Sequence, residues 1–382
     1  MKLFSVLLIF VFSLTTIIFS QVQFGPNTIT TSADGALSVY AVDLDSDGDI
    51  DVLSASNSDG KIAWYENDGN ENFTADTIAT GALGAFSVFA IDVDGDGDVD
   101  VLSGSFYDHI AWYENDGNEI FTPHTISTEV DVARSIYAVD LDGDGDIDVI
   151  GASHFVNKIA WYENNGNENF IPHIITTNAN MTASVYSVDV DGDGDMDVLS
   201  ASEGDHKIAW YENDGNENFS THIITTSVFG AYSVYAVDVD GDGDMDILSA
   251  SIFDNKIAWY ENDGNENFIT HTITTSADVA RSVYAVDVDG DGDMDVLSAS
   301  SNDDKIAWYE NDGNENFIPH TITTGADGAF SVLAIDIDND GDMDILSASI
   351  FDNKVTWYEN LIIVGIEAIS NETPNEVRLS QN

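Results

Sequence analysis

A nine-residue acidic phrase returns seven times in this chain, starting at Asp43, Asp92, Asp140, Asp189, Asp238, Asp287 and Asp336, about 49 residues apart. Three copies read D-V-D-G-D-G-D-M-D, and the others change only positions two, four and eight. A fixed period of this length marks a repeat architecture, in which each unit buries its apolar face against its neighbours. The content of one unit therefore decides the whole fold.

Each period holds four strand-like runs. The first, as in Ser233–Asp238 (S-V-Y-A-V-D), is apolar almost throughout and reads as buried on both faces. The acidic bend follows, then Asp246–Ser251 (D-I-L-S-A-S) and Lys256–Asn262 (K-I-A-W-Y-E-N). After N-D-G-N, a hairpin signal, comes Phe268–Thr275. Four short antiparallel strands repeated seven times describe an all-β, seven-bladed β-propeller. Pro26, Pro123, Pro172 and Pro319 each sit two residues after the phenylalanine opening a fourth run. Proline cannot donate to a ladder and is confined largely to edges, so the fourth run is the outermost strand. The last repeat ends at Asn360 without a fourth run, whereas Phe24–Thr31 precedes the first repeat. The N-terminal segment is therefore expected to complete blade seven and close the ring over residues 21–360.

The phrases supply five aspartates each: Asp43, Asp45, Asp47, Asp49 and Asp51; Asp92, Asp94, Asp96, Asp98 and Asp100; Asp140, Asp142, Asp144, Asp146 and Asp148; Asp189, Asp191, Asp193, Asp195 and Asp197; Asp238, Asp240, Asp242, Asp244 and Asp246; Asp287, Asp289, Asp291, Asp293 and Asp295; and Asp336, Asp338, Asp340, Asp342 and Asp344. Two carboxylates at ~4 Å repel by roughly 1–4 kcal/mol, depending on the local dielectric. Five in one bend make sense around a hard cation. Calcium takes six to eight oxygens, whereas magnesium keeps its waters and transition metals favour histidine or cysteine. In the fifth copy Asp238, Asp240 and Asp242 alternate inward, Gly243 permits the turn, the carbonyl of Asp244 follows and Asp246 closes the site. About one Ca²⁺ per blade, seven in all, is expected.

These phrases resemble the FG-GAP/VCBS repeat family, known from the seven-bladed propeller of integrin α-subunits and from bacterial surface proteins. The D-x-D-x-D-G-x-x-D pattern matches in all seven repeats, across about Phe24–Asn360. The resemblance implies one Ca²⁺ between the two inner strands of each blade. Ser46 and Asn339 replace glycine at a non-ligand position. The F-G and G-A-P phrases of the integrin repeats are not clearly reproduced, which brings the likeness nearer the bacterial branch.

The 382 residues include 70 acidic and 10 basic side chains, no cysteine and a formal charge of −60. Such a surface keeps a chain soluble and monomeric and repels nucleic acid and anionic lipid. Residues 1–20 read as a secretory signal: Lys2, an apolar stretch from Leu3 to Phe19, then the small Ser20. That stretch is short for a membrane span, so no membrane insertion is expected. A secreted or cell-surface location follows. Residues 361–382 depart from the repeat, and their end, E-V-R-L-S-Q-N, resembles the opening of a type IX secretion sorting domain. A truncated reading frame and a frayed terminus both fit.

The seven tryptophans from Trp64 to Trp357 share one register, which favours packing between blades over sugar stacking. His124, His173, His222, His271 and His320 also share a register, and exposed edge polarity is their default reading. The acidic bends and the N-D-G-N turns lie on one face of an up-and-down propeller. The other links emerge opposite and vary between copies. Phe106, Tyr107, Phe155 and Phe253 belong to second-to-third-strand links, and Phe86, Arg134, Tyr232, Arg281 and Phe330 to blade-to-blade links. Six lysines start third strands on that same face. Exposed aromatics beside isolated charges suit a glycan or surface-protein ligand. The competing reading buries the phenylalanines and uses the lysines to neutralise nearby aspartates. A non-catalytic, adhesin- or lectin-like binding module is the reading preferred. Its alternatives are a calcium-dependent propeller enzyme such as a polysaccharide lyase, which needs Arg, His or Tyr clustered at the axis, and a structural display module of a larger protein.

Overall fold

The computed structural model describes residues 22–107 and 109–361. Among these residues twenty-eight strands form seven four-stranded antiparallel sheets; six sheets are built from four strands consecutive in the chain, and the seventh joins the first strand to the last three. In blade one the order from the axis outward is Ala36–Val42, Asp51–Ser56, Lys61–Asn67 and Phe73–Ala79. Blade seven takes its inner three strands from Ala329–Ile335, Asp344–Ser349 and Lys354–Asn360. Its outer strand is Phe24–Thr30, in the register Phe24↔Asn360 and Pro26↔Tyr358. The expected offset therefore closes the ring, and the four prolines lie on outer strands. The secretory signal and the tail beyond Leu361 lie outside the described residues.

The core is repeated between blades. Trp64 of blade one packs with Val88, Ala90, Val101 and Tyr113 of blade two, and its equivalents do the same around the ring. Burying one such indole removes 150–250 Å² from water, worth ~4–6 kcal/mol in transfer terms. A phenylalanine from the next blade's outer strand meets five of these rings edge-on, as Phe121 does with Trp64 and Phe24 with Trp308.

At the axis the first strands face one another. Tyr40, Phe89, Tyr137, Tyr186, Tyr235 and Tyr284 form a girdle with successive ring centroids 4.7–5.0 Å apart. Burial pushes the Tyr40, Tyr137, Tyr186 and Tyr235 phenols well above their ordinary value. A serine two positions earlier ties the blades together: Ser38 accepts the Val88 N–H at 3.3 Å, and Ser135 that of Val185 at 3.1 Å.

Every first strand also carries a β-bulge near its start, as between Ala133 and Ser135. The skipped residues are Leu37, Phe86, Arg134, Ala183, Tyr232, Arg281 and Phe330. A bulge bends the strand and re-aims a side chain. Phe86, Arg134, Tyr232, Arg281 and Phe330 are thus strand residues at the axis, not members of blade-to-blade links. The bulge breaks the alternation that marks a strand in sequence, so the strand reads as starting two residues too late.

Candidate functional site

The acidic bends owe their shape to two backbone positions. The sixth residue is glycine in all seven, with φ between 98° and 102°, a region closed to residues with a Cβ. The fourth is left-handed everywhere. Gly95 and its equivalents have φ of 74–77°, while Ser46 and Asn339 hold 62° and 60°, which short polar residues tolerate. The curl is then pinned by its own carboxylates. In blade one Asp43 accepts the Gly48 N–H at 3.1 Å, Asp45 that of Asp47 at 3.2 Å, and Asp47 that of Asp49 at 2.9 Å.

Carboxylate oxygens converge as a result. Asp43, Asp45 and Asp47 each offer an oxygen within 4.8 Å of the others, as do Asp92, Asp94 and Asp96 in blade two. In blades three, four and five the ninth residue joins instead: Asp140, Asp142 and Asp148; Asp189, Asp191 and Asp197; Asp238, Asp240 and Asp246. Positions one, three, five and nine are therefore the side chains that can hold a cation. The seventh is different. A Cβ on Gly69 would stand 2.4 Å from an Asp49 oxygen, and the same closeness recurs between Gly117 and Asp98 and between Gly215 and Asp195. These seventh side chains, with Asp146, Asp244 and Asp293, lie against the neighbouring turn, which leaves their carbonyls for a metal.

The ninth residue is fully buried. Asp51 accepts backbone N–H groups from Leu44 at 3.2 Å and Asn67 at 2.7 Å. Burial nevertheless pushes the carboxyls of Asp51, Asp148, Asp295 and Asp344 up to about 7, and those of Asp100, Asp197 and Asp246 to about 6. Asp289 and Asp342 also rise to about 6, again chiefly through burial, with neighbouring aspartates adding to it. An oxygen of Asp43 is buried without a partner. Crowded, part-dehydrated carboxylates with an orphaned oxygen fit a hard divalent cation, and the donor set contains no nitrogen or sulfur.

On the opposite face Phe106, Tyr107, Phe155 and Phe253 are exposed, by 38, 60, 54 and 64%, together with Phe229 and Phe351. The lysines are engaged locally. Lys61, Lys207, Lys256, Lys305 and Lys354 each pair with the aspartate two residues earlier at 2.7–3.4 Å. The axis holds what sequence reading scattered. Arg134 donates to Glu203 at 3.1 Å and to the Tyr232 hydroxyl at 2.6 Å. It also meets the buried His154 ring at 3.1 Å and lies over Phe86. Arg281 stacks on Tyr232 at 4.6 Å and on Phe330 at 5.2 Å.

The outer-strand histidines are not plain edge polarity. His124 stacks on Trp112 at 4.5 Å and meets Glu114 at 2.7 Å, and His173, His222, His271 and His320 repeat the arrangement. Trp and Glu of each W-Y-E run share one side of the third strand's pleat, but only the cross-strand register, Trp112 opposite His124, brings the histidine onto both, so this pairing had no local signal. The tyrosine girdle had one in the repeated S-V-Y-A-V register.

A family profile described as an FG-GAP-like repeat matches residues 43–103, 92–151, 140–200, 189–249, 249–298 and 287–347. No curated protein matches the chain. Among solved structures it is similar to BBS1N in complex with ARL6DN, in a crystal soaked with mercury. That match has 10% identity and a TM-score of 0.64, covering 90% of this chain and 98% of that one. It is also similar to a catalytically inactive virginiamycin B lyase from Staphylococcus aureus with quinupristin. There identity is 15% and the TM-score 0.61, covering 90% of this chain and all of that one. At such identities the likeness is one of fold.

Proposed function

The chain belongs to the FG-GAP-like repeat family, and from that premise we propose that it is a secreted, calcium-stabilised propeller that binds a glycan or surface protein without catalysis. The observation that carries this reading is the division of labour between faces. One face repeats an acidic oxygen cluster blade after blade, and the other varies and exposes Phe106, Tyr107, Phe155 and Phe253. Calcium at positions one, three, five and nine, with the carbonyl of the seventh residue, would neutralise crowding that protein groups leave uncompensated. A propeller of the same fold, BBS1N, is seen in complex with ARL6DN, which supports a protein among the ligand classes.

A glycan-array and surface-capture screen with and without calcium tests the proposal. Binding that falls when Phe106, Tyr107, Phe155 and Phe253 are changed to alanine supports it. Capture that survives all four changes places the ligand elsewhere. The enzymatic reading draws on the axial cluster, which does break the sevenfold symmetry. Tyr232, however, is 5% exposed, its hydroxyl is held by Arg134, and a guanidinium covers each side of its ring. That arrangement offers no open face for a proton transfer and favours binding. Product release from a polysaccharide would reverse this preference.

A further inference from the structure

The two axial arginines are in different states. Arg134 has an anionic partner in Glu203 and a second acceptor in Tyr232. Arg281 has neither: its Nε donates to the Ser301 hydroxyl at 3.2 Å, and its two Nη nitrogens meet no acceptor or carboxylate among the described residues. Its plane is nevertheless positioned, stacked at 4.6 Å over Tyr232 and 5.2 Å over Phe330. Tyr232 thus carries a guanidinium at 4.5 Å and another at 4.6 Å, with one carboxylate, Glu203, among them. This mouth of the ring thus brings two guanidinium groups together on a chain of formal charge −60.

A half-buried guanidinium with its outer fork open matches a planar carboxylate through two parallel N–H···O bonds. The half-buried Phe330 beside it adds an apolar contact for a sugar ring. We propose that Arg281 anchors a ligand site at this mouth that takes the single carboxylate of a uronic acid in an otherwise neutral oligosaccharide. The site deepens the binding-module reading and rests on it. Beyond Arg134 the aromatic surface continues outward, Phe86 lying 6.3 Å from Phe106 and Phe106 5.1 Å from Tyr107, where further sugar units can stack. The overall charge selects within the carboxylates. An acidic protein or a polyanionic polysaccharide would bring many charges over a wide footprint against the remaining acidic surface. A lone uronate brings one charge to one cationic spot.

The test is calorimetric titration of the calcium-loaded chain with an aldobiouronic acid (one glucuronate on one neutral sugar) and with the same disaccharide after carboxyl reduction. The acid should bind at least about tenfold more tightly than its reduced partner. Arg281→Gln should remove that preference, and Arg281→Lys should lose most of it, since an ammonium lacks the fork. A melting temperature within about 2 °C of wild type shows that neither change unfolds the ring. Equal affinity for the two disaccharides, no binding of the acid, or a preference that survives Arg281→Gln would overturn the assignment. If the screen finds a neutral glycan or protein whose capture needs Phe106 and Tyr107 but not Arg281, the binding-module reading stands and the uronate inference alone falls.

Discussion

Asn164 serves two blades at once: its backbone N–H donates to Asp148 at 2.7 Å, and its side-chain amide donates to the Val93 carbonyl at 3.1 Å. Asp148 closes the acidic bend of blade three, and Val93 is the second residue of the bend in blade two. The same link joins Asn213 to Asp197 and Leu141, and Asn360 to Asp344 and Val288. The acidic bends are therefore chained through the asparagines that end six of the seven third strands, Asn311 bonding only within its own blade. Replacing Asn164 with alanine leaves the backbone bond and strands a buried carbonyl, at a cost of about 1–3 kcal/mol. Chemical denaturation at saturating calcium should show that loss. A change below about 0.5 kcal/mol would mean the link is decorative.

Chelation should act on all bends together. A ligand present at a hundredfold its dissociation constant stabilises by about 2.7 kcal/mol per independent site. Seven such sites should therefore lower the melting temperature by at least about 10 °C on adding excess EDTA. Calcium, and not magnesium at the same concentration, should restore it. An unchanged melt in EDTA would remove calcium from the account of this fold.

The two glycines of the bend should differ in tolerance. Gly194 has φ of 102°, so Gly194→Ala should cost about 1–3 kcal/mol and weaken cation binding in blade four. Gly192, at 74°, occupies the position where blade seven carries Asn339. Gly192→Asn should be neutral within about 0.5 kcal/mol. Parallel melts of the two variants check the pair, and equal losses would refute this account of the bend's shape.

The repeat, the hairpin turns and the prolines made the propeller legible before any coordinates, because each is a local pattern copied seven times. Strand order and ring closure followed from where Pro26 and Asn360 fall in that pattern. The convergence of Arg134, Glu203, Tyr232 and Arg281 was not legible, because it joins blades three to six through residues 69 and 98 positions apart. Only the bulge places Arg134, Tyr232 and Arg281 on the axis, and a bulge has no sequence signature beyond a broken alternation. The partners of the outer-strand histidines were hidden for a related reason. The Glu–His pairs depend on a cross-strand register that hydrophobic patterning does not specify.

His154 should give the axial cluster a pH signature. It is buried beside Arg134, and burial first, then that guanidinium, hold the imidazole below its ordinary 6.5. The Thr182 carbonyl at 3.1 Å accepts from Nδ1–H, which leaves Nε2 to accept from Arg134 at 3.3 Å in the neutral ring. Protonation would remove that acceptor and set two cations side by side. Because the native state binds the proton less readily than the unfolded chain, stability is complete above about 6.5 and falls as pH drops below it. His154→Gln keeps polarity without titrating. Between about pH 7.5 and about pH 5.5, at saturating calcium, wild type should lose more stability than His154→Gln, as read from denaturant midpoints. Taking the difference between the two proteins cancels the acid response of the aspartate bends. Identical pH profiles would mean that folding leaves the proton affinity of His154 unchanged, and that Arg134 is oriented by Glu203 and Tyr232 alone.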